Sequence, residues 1–255
     1  MHQWLRFEHA GHPGFGRLEG GAIAVFEGDL FAQPHATGQM LPLADVRLLT
    51  PTQPGKMLAI WNNFHALAAK LDLAAPKEPL YFVKTANSFL AAGETIRKPR
   101  SFDGKVVYEG ELGVVIGKTC AAVSVVDASD FIFGYTCIND VTAAEIIHRD
   151  SAFQQWSRAK SFDTFGVFGP VVATGLDPAT LTVRTVLNGQ ERQNYPVSDM
   201  IFSPAQLVSL ISQDLTLHPG DVICCGTSVG AGSMKPGSTV EVQIAGIGTL
   251  TNRFE

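Results

Sequence analysis

Apolar and polar positions along the chain alternate mostly with a period of two, in short runs broken by Gly, Pro, Asn and Asp. This pattern predicts a β-rich chain with few helices. The run Val106 to Lys118, VVYEGELGVVIGK, is rich in β-branched residues, contains no proline and reads as a strand. Alternation places Glu109 and Glu111 on one face with Val107, Gly113 and Val115, and Tyr108, Leu112, Val114 and Ile116 on the other. A second apolar run, Phe131 to Ile138, predicts a strand with Asn139-Asp140 at its exit, followed by a helix over Thr142 to Trp156.

The rest of the chain follows the same logic. Residues 1–52 read as a small N-terminal β module, with a hairpin turning at Glu27-Gly28-Asp29 and a Pro/Gly-rich link from Pro51 to Gly55. Residues 53–255 form the main domain. MLAIWNNF predicts a strand, His65 to Leu73 a helix, LAAPKEP a mobile lid loop, and PLYFVK a strand whose Lys84 is expected in a structural or rim role, since strand lysines are usually solvated. Asn188-Gly189 suits a type I′ hairpin turn, and Ser203-Pro204 opens an amphipathic helix with Leu207, Leu210 and Ile211 on one face. HPGDVICCG is a strand that runs into the glycine-rich loop GTSVGAG, and STVEVQIAGIGTLTN is a closing hairpin.

The carboxylates carry the candidate chemistry. Two glutamates side by side in an apolar strand push one pKa up strongly unless a cation intervenes, and a divalent metal with oxygen ligands meets that need. Solvated glutamates on an edge strand are the alternative. Asp140, at a strand exit, is either a third oxygen ligand or the N-cap of the following helix.

Composition narrows the function classes. A net charge of -5 without a basic run argues against nucleic-acid binding. No apolar stretch approaches about 18 residues, so no membrane span is expected, and MHQWLRFEHAGHPG does not read as a secretory signal. Cys120, Cys137, Cys224 and Cys225 include no C-x-x-C pair and are expected as buried free thiols in a cytoplasmic protein. The glycine-rich loop lacks the lysine of a phosphate loop. Its backbone N–H groups at Gly226 and the Thr227 hydroxyl suit a substrate carboxylate instead.

Taken in order, YEGELGVVIGK, GYTCIND, AKSFDTFGVFGP, DMIFSPAQLVSLISQDLTLHPGDVICCGTSVGAG and GIGTLTN resemble the fumarylacetoacetate hydrolase family, over about Lys56 to Asn252. The resemblance implies an α+β, β-rich fold: a twisted, partly closed mixed-sheet roll, assembled as a homodimer. It implies Mg2+ or Mn2+ held by Glu109, Glu111 and Asp140, a substrate-contacting Lys160, and a catalytic His65 at a helix start. The implied activity is hydrolysis of a C–C bond next to a ketone in a 2,4-dioxo acid such as an acylpyruvate or fumarylpyruvate, in the catabolism of aromatic or other small acids. The alternatives are a decarboxylase, a tautomerase or isomerase of 2-oxo or 2-hydroxy-dienoic acids, and a catalytically impaired relative that still binds metal and acid.

Departures from the family pattern bear on this choice. Ala68 stands where an acid would orient His65, Ala144 and Ile147 replace an Arg and a Gln, and Ser228 replaces a Pro. The missing acid favours chemistry without water attack, and the missing Arg weakens a bidentate carboxylate clamp.

Overall fold

The computed structural model describes residues 1–255. Strand Gly110–Ile116 lies at the centre of the fold, with every residue buried. It pairs antiparallel on one side with Ile132–Asp140, putting Gly110 opposite Asn139 and Leu112 opposite Cys137. On its other side it pairs antiparallel with Val222–Cys224, which in turn runs parallel to Met57–Trp61. Leu80–Lys84 closes that edge. In the other direction Ile132–Asp140 leads to Gly166–Thr174 and then to His2–His9, His12–Glu19, Ala22–Glu27 and His35–Pro42. The N-terminal strands therefore extend the large sheet, through pairs such as Trp4 with Val172.

A second sheet, in the order Gln190–Pro196, Thr182–Leu187, Thr239–Ile244, Gly248–Phe254 and Thr95–Ile96, packs across Gly110–Ile116 and Ile132–Asp140. Successive residues of the central strands serve opposite faces. Leu58, Ile60, Val114, Ile223 and Cys225 join the main core, while Met57, Ala59, Val115, Val222 and Cys224 join a smaller core on the far side. Being covered on both faces is why VICC reads as an unbroken apolar run. Each such side chain contributes roughly 1.5–3 kcal/mol on burial. All four cysteines are buried and free. The architecture is β-rich with mixed sheets and four short helices, as the sequence predicts. No helix is long and apolar enough to cross a membrane.

Several expectations fit closely. Asn188 and Gly189 both take positive φ, 52° and 76°, as a type I′ turn requires. Helix Pro204–Asp214 starts with a capping box between Ser203 and Gln206.

Four expectations are corrected. The run 106–118 is not one strand. Val106–Tyr108 pairs with Gly232–Met234, the chain changes partner at Glu109, and Gly110–Ile116 joins the large sheet. The helix expected over Thr142 to Trp156 is two short helices, Ala144–Ile147 and Trp156–Lys160. Between them the Asp150 carboxylate accepts the Ala152 N–H at 2.8 Å, a local turn that competes with helix. The hairpin expected to turn at Glu27-Gly28-Asp29 turns instead at Gly20-Gly21, where both glycines take positive φ, and Glu27-Gly28-Asp29 opens the longer link to His35–Pro42. Lys84 is not solvated but 1% exposed.

Candidate active site

Each charged group in the centre of the molecule comes from the end of an element. Asp140 ends strand Ile132–Asp140, Lys84 ends strand Leu80–Lys84, and Lys160 ends helix Trp156–Lys160. Glu109 sits at the break between Val106–Tyr108 and Gly110–Ile116, and Glu111 is one residue into the latter. The Glu109 N–H is held by the Asn139 side-chain oxygen at 3.1 Å, and the Asp140 N–H by the Glu109 carbonyl at 2.8 Å. These bonds lock the break against the strand exit. One oxygen from each of Glu109, Glu111 and Asp140 lies within 4.8 Å of the others, so the three could hold a metal ion.

Lys160 Nζ donates to Glu109 Oε2 at 2.7 Å and to Asp140 Oδ2 at 2.6 Å. Lys84 Nζ donates to Asp140 Oδ1 at 2.6 Å and also to the Lys160 carbonyl. The Thr142 hydroxyl lies 2.9 Å from Glu109 Oε1. Glu111 differs from the other two acids. Its Oε2 accepts one N–H, from Gly226 at 2.9 Å, and no ammonium reaches it. Gly226 is required there, because a Cβ would meet the Ile60 carbonyl oxygen at 3.0 Å at a φ of +90°.

The electrostatics follow from this arrangement. Burial pushes the Glu111 carboxyl well above the usual range, and Asp140 and Glu109 push it further. Burial also raises Glu109, partly opposed by Lys160. Burial would raise Asp140 too, but Lys160 and Lys84 outweigh it and hold the carboxyl low. Burial works to discharge Lys160, yet Asp140, Glu109 and Glu111 outweigh it and keep it protonated.

With all three acids ionised, as metal binding requires, three carboxylates against two ammonium groups make the cluster net negative, and the excess falls on Glu111, 1% exposed. An uncompensated buried carboxylate is costly, by several kcal/mol. A hard divalent cation with oxygen ligands removes that cost and turns the cluster net positive, the sign that suits an acid substrate. The donor set therefore fits magnesium or manganese. Glu109 is the one of the three acids with residual side-chain exposure, 15%, and marks the open side of the cluster.

The remaining expected residues fall outside this cluster. His65 is the exposed first residue of helix His65–Lys70, whose Ala66 N–H donates to Asp199 Oδ2 at 3.0 Å. Ala68 is buried at 5% exposure. The Thr227 hydroxyl is already engaged, donating to the Gly110 carbonyl at 2.9 Å and accepting from Gln193 Nε2 at 2.8 Å. The adjacent Ser228 hydroxyl is buried without a partner.

The structural role of Lys84, one of two open to it from sequence, is the one the fold realises, and Trp61, Phe82, His148 and Trp156, which carry no sequence motif, line a cavity of about 650 Å³ beside the cluster. The available signal was spacing: Phe82 lies two residues from Lys84 on a strand, and Trp156 lies four from Lys160 on a helix.

Comparison with known proteins identifies the family. The sequence model of the fumarylacetoacetate hydrolase C-terminal family matches residues 56–255, and that of an Rv2993c-like N-terminal family matches residues 2–51. An uncharacterised protein of Archaeoglobus fulgidus is 40% identical over 93% of this chain and 92% of its own. The oxaloacetate tautomerase YisK of Bacillus subtilis is 35% identical over 84% of this chain and 75% of its own. The crystal structure of 2-hydroxyhepta-2,4-diene-1,7-dioate isomerase from Mycobacterium marinum superposes with a TM-score of 0.91 at 37% identity, covering 100% of this chain and 98% of that one. With residues 56–255 matched by the family model and its whole length superposed on a relative 37% identical, the chain belongs to the fumarylacetoacetate hydrolase family.

Proposed function

We propose that the chain is a divalent-metal-dependent enzyme that moves a proton, or releases a carboxyl group, next to the ketone of an enolisable 2-oxo acid. The observation that carries this reading is the buried cluster in which Glu111 has no cation while Glu109 and Asp140 share Lys160. Glu109, Glu111 and Asp140 would hold magnesium or manganese. Once bound, the ion would supply Lewis-acid polarisation of the carboxylate and keto oxygens of the substrate. Lys160 keeps its proton and adds a fixed positive charge beside the oxygen on which negative charge develops. Lys84 is a positioning residue that holds Asp140 ionised from behind. Carboxylate binding falls to backbone N–H groups of the loop after Gly226, since the Thr227 hydroxyl is committed elsewhere.

Proton transfer and decarboxylation rank above water attack because His65 is exposed and the residue one turn on, Ala68, brings no acid to orient it. The similarity to an oxaloacetate tautomerase and to a dienedioate isomerase supports the same order. Hydrolysis of a C–C bond in a 2,4-dioxo acid is the second reading, favoured by the helix-start position of His65.

The test is consumption of the enol of oxaloacetate, release of its carboxyl group, and cleavage of an acylpyruvate, each with magnesium and after chelation. Metal-dependent turnover of oxaloacetate is expected. Metal binding without turnover of either acid would overturn the enzymatic reading in favour of a non-catalytic binder.

A further inference from the structure

Two short rows of side chains lead outward from the charged cluster. On strand Leu80–Lys84, Phe82 and Lys84 share a face. On helix Trp156–Lys160, Trp156 and Lys160 are one turn apart. Lys84 and Lys160 both bond Asp140, so Phe82 and Trp156 meet one step further out. Their rings stack, with centroids 5.5 Å apart and planes at 23°. The Phe82 centroid also lies 5.4 Å from Lys160 Nζ. Trp61, at the end of Met57–Trp61, packs on Trp156 with centroids 5.0 Å apart. An aromatic wall thus begins at the ammonium that touches Glu109 and Asp140.

This wall lines the cavity of about 650 Å³, within the usual range for a small-molecule site. Leu73 and Leu80 stand at its rim, 41% and 42% exposed. No lysine, arginine, aspartate or glutamate lines it. Two of its polar groups are used, and the His148 imidazole and the Gln154 amide nitrogen remain beside the rings. The Trp156 indole N–H donates to the Gln154 side chain at 2.8 Å, and the Tyr81 hydroxyl donates to Asp214 at 3.1 Å. Ring faces and aliphatic carbons make up most of what remains for a ligand. A carboxylate carried onto that wall would lose water and meet only the His148 imidazole, because the nearest ammonium, Lys160, is committed to Glu109 and Asp140, whereas a flat uncharged group would stack on the rings.

We propose that this cavity receives the non-reacting tail of the substrate and selects 2-oxo acids whose tail ends in a flat uncharged group, above all an aryl ring, over those ending in a second carboxylate. The proposal rests on the reading above for the acid head only.

The test uses the full chain with magnesium and two probes that share a 2,4-dioxo acid head: benzoylpyruvate, with a phenyl tail, and fumarylpyruvate, with a carboxylate tail. Calorimetry reads binding whether or not turnover follows. Benzoylpyruvate is expected to bind at least about tenfold more tightly, the discrimination that apolar pockets ordinarily reach. Trp61→Ala is expected to remove most of that preference by weakening benzoylpyruvate alone. Leu80→Lys, at an exposed rim position that does not endanger folding, is expected to shift preference toward fumarylpyruvate. Equal or reversed affinities in the wild-type chain, no binding of either probe, or a Trp61→Ala variant that weakens both probes alike, would overturn the subsite. Tail discrimination without any turnover would overturn the proposed activity and leave the subsite standing. Turnover of oxaloacetate without tail discrimination would do the reverse.

Discussion

Lys84 Nζ donates to Asp140 Oδ1 at 2.6 Å, with side chains 0% and 1% exposed. Removing one partner of a buried pair strands the other charge, at a cost of about 3–5 kcal/mol. Lys160 still pairs with Asp140, so Lys84→Met is expected near the lower end of that range, roughly 3 kcal/mol, read as a lower denaturation midpoint. Metal affinity should fall as well, because Asp140 loses the contact that fixes its carboxylate. A variant as stable as the wild type would show that Lys84 is not the support for Asp140.

Glu111 sets a pH dependence in the metal-free chain. Its folded pKa is raised well above the ordinary value by burial, with Asp140 next. A raised folded value means that the folded chain holds the proton more tightly than the unfolded one. This contribution to stability is full below about pH 4.3 and is lost as pH climbs toward the folded value. Glu111→Gln stays neutral throughout. Without metal it should gain melting temperature over the wild type by a margin that widens as pH rises above about 4.3 toward the raised folded value. With magnesium or manganese the order should invert, because the wild type alone gains the full stabilisation of a bound ligand. A constant margin across pH would contradict the assignment.

Thr227 joins Gly110 to Gln193 by two buried hydrogen bonds. Thr227→Val removes both bonds, but the Gly110 carbonyl keeps the Tyr195 hydroxyl and the Gln193 amide keeps the Ser228 carbonyl, so the cost is about 0.5–1.5 kcal/mol per bond. Thr227→Ser should restore most of that loss. If Thr227→Val instead leaves stability unchanged and raises KM for a 2-oxo acid, the hydroxyl contacts substrate and its structural engagement is secondary.

His65 separates the two catalytic readings. His65→Ala should lower hydrolysis of an acylpyruvate at least about tenfold while changing oxaloacetate tautomerisation by less than about threefold, since general-base activation belongs to water attack. Metal affinity should be unaffected. Equal losses in both reactions would place His65 in the proton-transfer step itself.

Much of the molecule was legible from local pattern. Period-two alternation and turn chemistry marked the strands. Asn188-Gly189 and Ser203-Pro204 placed a turn and a helix start, because their causes lie within a few residues. Glu109, Glu111 and Asp140 stood out as carboxylates in apolar runs, and the fold brings them together. What the sequence determined by itself was this local geometry, the β-rich class and the donor set. Only tertiary structure decided that the chain changes sheets at Glu109, because that depends on Gly232–Met234, far along the chain. Only tertiary structure buried Lys84, because its burial is fixed by Asp140 and by the helix carrying Lys160. The same holds for the aromatic wall of Trp61, Phe82 and Trp156, whose rings come from two strands and a helix. The physical reason is common to all three: alternation and capping are set by backbone geometry over a few residues, whereas desolvation and pairing are set by whichever distant side chains the fold brings into contact.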